Sequence, residues 1–293
     1  MTPIEILACA RTGDVSALGA DRAAVADAVR SFANAGDAAS ALEVVGRTWR
    51  IWLAKGELAE GSAVAEVALA APGAMAVPIW RARALYADGV LAFRAGDEQR
   101  SRKRNQEALD IARAGADVRG ECDALTGLAR LALRDGAYDH VIRLASEARE
   151  RARMAGDPEA EAAPLHLHAA GLRLQGHHAE ARDLYLKSLD LNARLGNRAW
   201  VAMEQHNLGW VELHLGNIDS AMDRFRESDA EVSDAYGRAW SDLNWAAVAV
   251  AKDDRSEADR RYDLGTRSLE VLGVTLDPDD QHELNWLRSR LAR

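Results

Sequence analysis

Cysteine, lysine and proline are all scarce in this 293-residue chain, and each shortage closes off a class of protein. Cys9 and Cys122 are its two cysteines, too far apart and too few for a disulfide framework or a cysteine-based metal knuckle. Lysine stands only at Lys55, Lys103, Lys187 and Lys252, so arginine supplies most of the 37 basic side chains, as a GC-rich genome would favour. The net charge of −9 argues against direct nucleic-acid binding, which needs many phosphate contacts. No run approaches the ~18 apolar residues of a membrane span, and Met1-Thr2-Pro3-Ile4-Glu5 lacks the basic start and apolar stretch of a secretion signal. No membrane partner is expected, and the cytoplasm is the expected compartment. No phosphate loop, no HExxH, no GxSxG and no nucleophile beside a base is found. The chain therefore reads as a non-enzyme without a cofactor.

What is present is helix-forming. Hydrophobic residues make up 48% of the chain, enough for a sizeable core. Ala, Leu, Arg and Glu dominate, all good helix formers. The six prolines stand mostly where helices would begin or end, and no stretch reads as a strand.

The organisation is a repeat. Gly56, Gly96, Gly136, Gly176 and Gly216 fall 40 residues apart, with Gly36, Gly156 and Gly196 on the half-period. Their surroundings agree: Arg94-Ala95-Gly96-Asp97, Arg134-Asp135-Gly136-Ala137, Leu174-Gln175-Gly176-His177 and His214-Leu215-Gly216-Asn217. A glycine there ends one helix, and Asp or Asn next to it caps the following one. Between turns, Leu125, Leu128, Ala129 and Ala132 make one stripe at helical period, and Val141, Leu144, Ala145 and Ala148 the next. Each unit is thus two antiparallel helices of roughly 15 to 18 residues. Such a pair must stack on its neighbours to bury its apolar face. Residues 1–20 are expected to form an N-terminal capping helix and residues 21–293 the repeat domain. Pro164 predicts a kink or a late start in its helix. Asp253-Asp254 stands about three residues early where a glycine turn is due, leaving the register past Ala235 open.

The best-marked unit runs Asn207-Leu208-Gly209-Trp210, then Gly216, Ala221 and Phe225. Two small residues for close approach and an aromatic to fill the gap resemble a tetratricopeptide repeat. Gly89, Gly96 and Ala108 fit in part, as do Ala169, Gly176, Ala181 and Tyr185. The resemblance implies an all-α, tetratricopeptide-like right-handed superhelix of helix-turn-helix repeats. Leu195-Gly196-Asn197-Arg198-Ala199-Trp200 through Leu215-Gly216-Asn217, with Trp49-Arg50-Ile51-Trp52-Leu53 and Leu276-Asp277-Pro278, is similar to the C-terminal helical-repeat region of bacterial antibiotic-regulatory and LuxR-type regulators and signalling ATPases. Without an ATPase loop or room for a DNA-binding domain, the chain is expected to be a free-standing sensor or adaptor if Met1 is its start.

In tetratricopeptide arrays the first helix of each unit lines the groove. Carried onto this sequence, that register turns inward Arg83, Tyr86, Phe93, Arg94, Arg130, Arg134, His166, Arg173, His206, Trp210 and His214, with Asp123 the only acid opposing the arginines. Arginine interleaved with aromatics suits carboxylates and phosphates. The expected partner is a protein or peptide, with an acidic or C-terminal segment in the groove. The alternative is a small anionic or aromatic ligand in a deep pocket beside Trp210. The other tryptophans read as helix packing. An enzyme would require an inward cluster of titratable groups with displaced pKa values. The terminal helices around Ile4–Leu7 and Leu284–Leu291 are candidates for capping or dimerising. No metal site is expected: His206 and His214 can share a helix face, but no third ligand is evident.

Overall fold

The structure is a computed structural model that describes residues 1–13, 15–232, 234–273 and 276–292. It is all helix, with no strand among the described residues. The helices are α1 (Pro3–Thr12), α2 (Val15–Ala20), α3 (Arg22–Asn34), α4 (Ala38–Thr48), α5 (Arg50–Leu53), α6 (Leu58–Ala70), α7 (Pro78–Arg94), α8 (Glu98–Ala114) and α9 (Val118–Arg134). They continue as α10 (Tyr138–Met154), α11 (Pro158–Leu174), α12 (His178–Arg194), α13 (Arg198–His214), α14 (Ile218–Asp229), α15 (Ala235–Ala251), α16 (Arg255–Leu272) and α17 (Pro278–Leu291). From α7 to α13 every helix has 17 residues.

The turns repeat because one hydrogen-bond pattern recurs. At the end of α7, Asp97 N–H donates to Ala92 C=O at 2.9 Å and Gly96 N–H to Phe93 C=O at 3.1 Å. Gly96 sits at φ 80°, a left-handed conformation that closes the helix. Asp97 then accepts from Arg100 N–H at 3.0 Å and caps α8, so one residue ends one helix and begins the next. The pattern survives without glycine at two positions. Ala116 takes φ 50° at the half-period, and Asp253 takes φ 61° before Asp254 caps α16. The irregular last turn is therefore the same turn with an aspartate in the glycine's place.

Two expectations are corrected. Residues 1–20 hold two helices, because Gly13 at φ 79° ends α1. Helix α11 begins at Pro158 and runs through Pro164 to Leu174, with no late start.

The chain divides into two compact units: Met1–Leu131 with Glu147–Ala160, and Ala132–Ser146 with Glu161–Arg293. In the first, α1 packs on α3 and α4, and α7 pairs with α8. Its core includes Ile6, Val25, Val29, Leu42, Trp52, Leu85 and Leu91. Gly89 lets α8 approach closely, for a Cβ there would lie 2.7 Å from Asn105 Nδ2. In the second, α12 packs on α13, α13 on α14, and α15 on α16. Gly209 faces the Phe225 ring, which a Cβ would meet well inside van der Waals contact, 2.8 Å even from Cζ. Trp210, Phe225, Trp240, Leu243, Leu284 and Leu287 join in one buried cluster. Leu284 and Leu287 are thus core residues of the second unit, and Ile6 and Leu7 core residues of the first; neither terminal helix offers these side chains for dimerising.

Candidate functional site

The eleven inward positions divide between the units and meet different fates. In the first unit, Arg130 Nη1 donates to the Tyr86 hydroxyl at 3.3 Å, and Tyr86 stands edge-on to Trp49 with ring centroids 6.0 Å apart. Arg83 lies 5.7 Å from the Trp80 ring and pairs with Asp117 at 3.5 Å. Phe93 is half-buried and Arg94 exposed at the end of α7. The structure adds residues that helix counting missed. The exposed Arg50 guanidinium stacks 4.3 Å from the Trp49 ring, and exposed Arg47 lies 4.7 Å from Trp80. Arg47 Nε already donates to Glu43 at 2.9 Å, whereas a guanidinium on an indole face, as at Arg50, keeps its N–H edges available to carboxylates. Asp123 feels the Arg83 and Arg50 charges, but the arginine that bonds it is Arg119, four residues before it, at 3.2 Å. The acid that meets Arg83 is Asp117, in the α8–α9 turn.

In the second unit the first-helix face is covered. Helix α17 lies across it and spends its own acids on the expected basic residues. Arg173, 2% exposed, donates through Nη1 to Glu283 and through Nη2 to Asp279 at 3.4 Å. Arg134 stands 3.8 Å from Asp277. His214 Nε2 bonds the other oxygen of Glu283 at 2.9 Å. The Tyr236 hydroxyl donates to Asp280. Trp286 packs edge-on against Trp210 at 5.9 Å and against His214 at 5.5 Å.

Trp210, His206 and His166 therefore do not line an open groove. Trp210 is fully buried, and its N–H donates to Asn244 Oδ1 at 2.9 Å. The Asn244 amide in turn meets His206 Nδ1 at 3.1 Å. Phe225 and Trp286 fill the space beside Trp210 where a pocket was expected. His166 bonds the buried carboxylate of Glu204 at 3.1 Å, which also accepts from Ser188 Oγ at 2.6 Å.

The electrostatics follow from burial and pairing. Burial disfavours the charge on Glu283, but Arg173 and His214 outweigh it, and the carboxyl stays below its ordinary value. Burial and the neighbouring Asp279 carboxylate push Asp280 up to about 8. Burial pulls His206 down to about 4. Burial with the adjacent His214 does the same to His178, also to about 4. His166 is raised, because Glu204 overrides the effect of burial. The titratable cluster required of an enzyme is therefore present, but it is enclosed between α11, α13 and α17 and largely satisfied by its own ion pairs.

A hydrogen-bonded group also forms that the His206/His214 spacing did not suggest. His206 goes to Asn244, while His214 gains His282 and Glu283 from α17, their ligand atoms all within 4.8 Å of one another. His178 stacks on His214 with centroids 4.5 Å apart and planes 9° from parallel. Only the acidic run Asp277-Pro278-Asp279-Asp280 followed by Glu283 hinted at such a helix, and nothing local told where it would dock.

Residues 160–228 match the tetratricopeptide repeat family. No curated protein matches the chain. Among solved structures, the chain is similar to BtubC (BKLC) from P. vanneervenii, with TM-score 0.58, 19% identity, and 75% of this chain and 91% of that one covered. It is similar to a Rap protein complexed with Competence and Sporulation Factor, with TM-score 0.57, 14% identity, and coverage of 92% and 80%. It is also similar to pilF of Pseudomonas aeruginosa, with TM-score 0.54, 16% identity, and coverage of 89% and 98%. At these identities the likeness concerns the fold. The chain carries tetratricopeptide repeats over residues 160–228 and folds along its described length as all-α, tetratricopeptide-like helix pairs.

Proposed function

We propose that this chain is a non-catalytic, protein- or peptide-binding repeat module of a bacterial regulatory or signalling pathway, and that its arginine–aromatic face in the first unit takes an acidic segment of a partner. The observation that carries the reading is the pairing of Arg173 with Asp279 and Glu283. A first-helix face of this array, given an acidic amphipathic helix, binds it through buried arginine and edge-on tryptophan. The first unit offers related chemistry without such an occupant among its described residues: Arg50, Arg83 and Arg130 beside Trp49, Trp80 and Tyr86. Charge-assisted bonds to carboxylates, with aromatic contact for the apolar side, suit a helix or extended peptide rich in Asp and Glu. The Rap protein of similar fold was solved with Competence and Sporulation Factor, which fits a ligand-binding role for such arrays.

The test uses fluorescein-labelled peptides of matched length: acidic with Leu and Trp, neutral, and basic. Anisotropy should rise with the acidic peptide alone. The affinity should fall with added salt and drop about tenfold or more in the Arg83→Ala/Arg130→Ala variant, a loss of about 1.4 kcal/mol. Equal binding of all three peptides, or acidic-peptide binding indifferent to that variant, sinks the reading.

A further inference from the structure

Helix α13 ends on His214, which is half-buried, and helix α17 passes its end with His282 and Glu283 side by side. One ligand atom from each of these three side chains lies within 4.8 Å of the others. The tightest pair is His214 Nε2 and Glu283 Oε2 at 2.9 Å. The donor–donor edge of a tetrahedral zinc site, with bonds of about 2.0–2.1 Å, is roughly 3.3 Å. An ion therefore needs a small opening of this pair and a closing of His282, whose nitrogen lies within 4.8 Å of both, toward them.

Three features make the group more than a chance meeting of polar side chains. Its donors are two imidazoles and one carboxylate, the ligand mix of borderline divalent ions. The second oxygen of Glu283 is held by buried Arg173, which orients the first toward His214, as outer-shell partners do in metal sites. Beside the three, His178 stacks parallel on His214. Its Nδ1 is buried with no hydrogen-bond partner among the described residues, so a desolvated imidazole packs on the ring of one of the three. The nearby Asp279 carboxylate offsets part of the added positive charge.

We propose that His214, His282 and Glu283, with His178 alongside, form a binding site for a divalent transition-metal ion of the zinc class that fastens helix α17 to the end of α13. Such an ion would replace the His214–Glu283 hydrogen bond by two coordinate bonds and tie residues 69 apart in sequence. Binding to the folded chain alone adds to its stability by mass action. Calcium and magnesium, which require oxygen ligands, should not take the place.

The test uses the full chain without a histidine tag, stripped with chelator. Isothermal titration with Zn²⁺ should give one equivalent at micromolar affinity or tighter, and Co²⁺ should give the visible absorption of a low-symmetry, tetrahedral-type site. Zn²⁺ should also raise Tm. His282→Ala should weaken binding at least tenfold and remove the Tm rise. Its half-buried position lets the fold persist, which the circular dichroism spectrum checks. His177→Ala, at an exposed ring beside Glu180, should change neither. No binding at 100 µM Zn²⁺, or binding equal in the wild type and His282→Ala, overturns the proposal.

Discussion

Arg173 and Glu283 meet across 110 residues of sequence, with each side chain only about 1% exposed. A buried ion pair of this kind is costly to break from one side, because the remaining charge is left in a low-dielectric interior. Arg173→Met should therefore lower stability by about 3–5 kcal/mol. The double variant Arg173→Met/Glu283→Met should lose clearly less than the sum of the two single ones. Urea unfolding in the presence of chelator measures all four corners of that cycle. Additive losses would mean that the pair does not hold α17 in place.

The contact between Gly209 and Phe225 makes a steric prediction. A methyl group at residue 209 overlaps the Phe225 ring edge, 2.8 Å even from Cζ, and that ring is itself fully buried. Gly209→Ala should cost about 1–3 kcal/mol by overpacking. Adding Phe225→Leu should return part of that loss, since the smaller side chain makes room. A thermal melt of the wild type and these two variants decides it.

Ala116 occupies a left-handed turn at φ 50° that its neighbours in the repeat give to glycine. The Cβ penalty there should make Ala116→Gly stabilising by about 1 kcal/mol, after the greater unfolded-state freedom of glycine is subtracted from the strain relieved. The reverse change, Gly136→Ala at φ 70°, should destabilise by a similar amount. Chemical denaturation midpoints at constant m-value test both.

The buried histidines set a pH dependence with a definite sign. His206 has a folded pKa of about 4 against an unfolded value of 6.5. Between these values the unfolded chain binds a proton that the native state refuses. Stability from this group is therefore full above pH 6.5, falls as pH drops toward 4, and levels off below. His166, raised by Glu204, acts in the opposite direction: its contribution is present below 6.5 and is lost as pH rises through its folded pKa. An NMR titration of the imidazole nitrogens should find His206 neutral at pH 5.5 and His166 protonated there. His206→Asn should flatten the acid side of the stability curve.

Much of the architecture was legible because it is locally encoded. Gly96 followed by Asp97 ends one helix and starts another within a few residues, and each copy needs no distant partner. The same holds at Gly156-Asp157, whereas at Gly216-Asn217 the backbone turn recurs but the Asn217 amide donates to Glu212 and caps nothing. Gly209 and Phe225 were readable as a close-packing pair because both lie in one helix hairpin. The late start expected at Pro164 does not occur: α11 runs through it, with Ala162 and Leu165 packed against Leu191 and Ala169 and Leu172 against Tyr185 and Leu208. Asp253 obscured the last turn because the left-handed conformation was sought at a glycine.

The inward register named Tyr86 and Arg130, which meet, but it missed Arg47 and Arg50, which reach Trp80 and Trp49 from α4 and α5. It also named Arg173, Trp210 and His214 without the helix that covers them. Periodicity reports which side of a helix is turned inward but not what fills the space in front of it.

The sequence alone determined the repeat, its 40-residue period and the helix pairs, since these depend on turn stereochemistry and on apolar spacing within a few dozen residues. The tertiary structure decided that α17 closes the second unit's face, that Asp279 and Glu283 go to Arg173, and that His214 stands beside His282. Those choices follow from charge complementarity and apolar burial summed over helices far apart in the chain. Such sums exist only once the repeats have stacked and the last helix has a surface on which to settle.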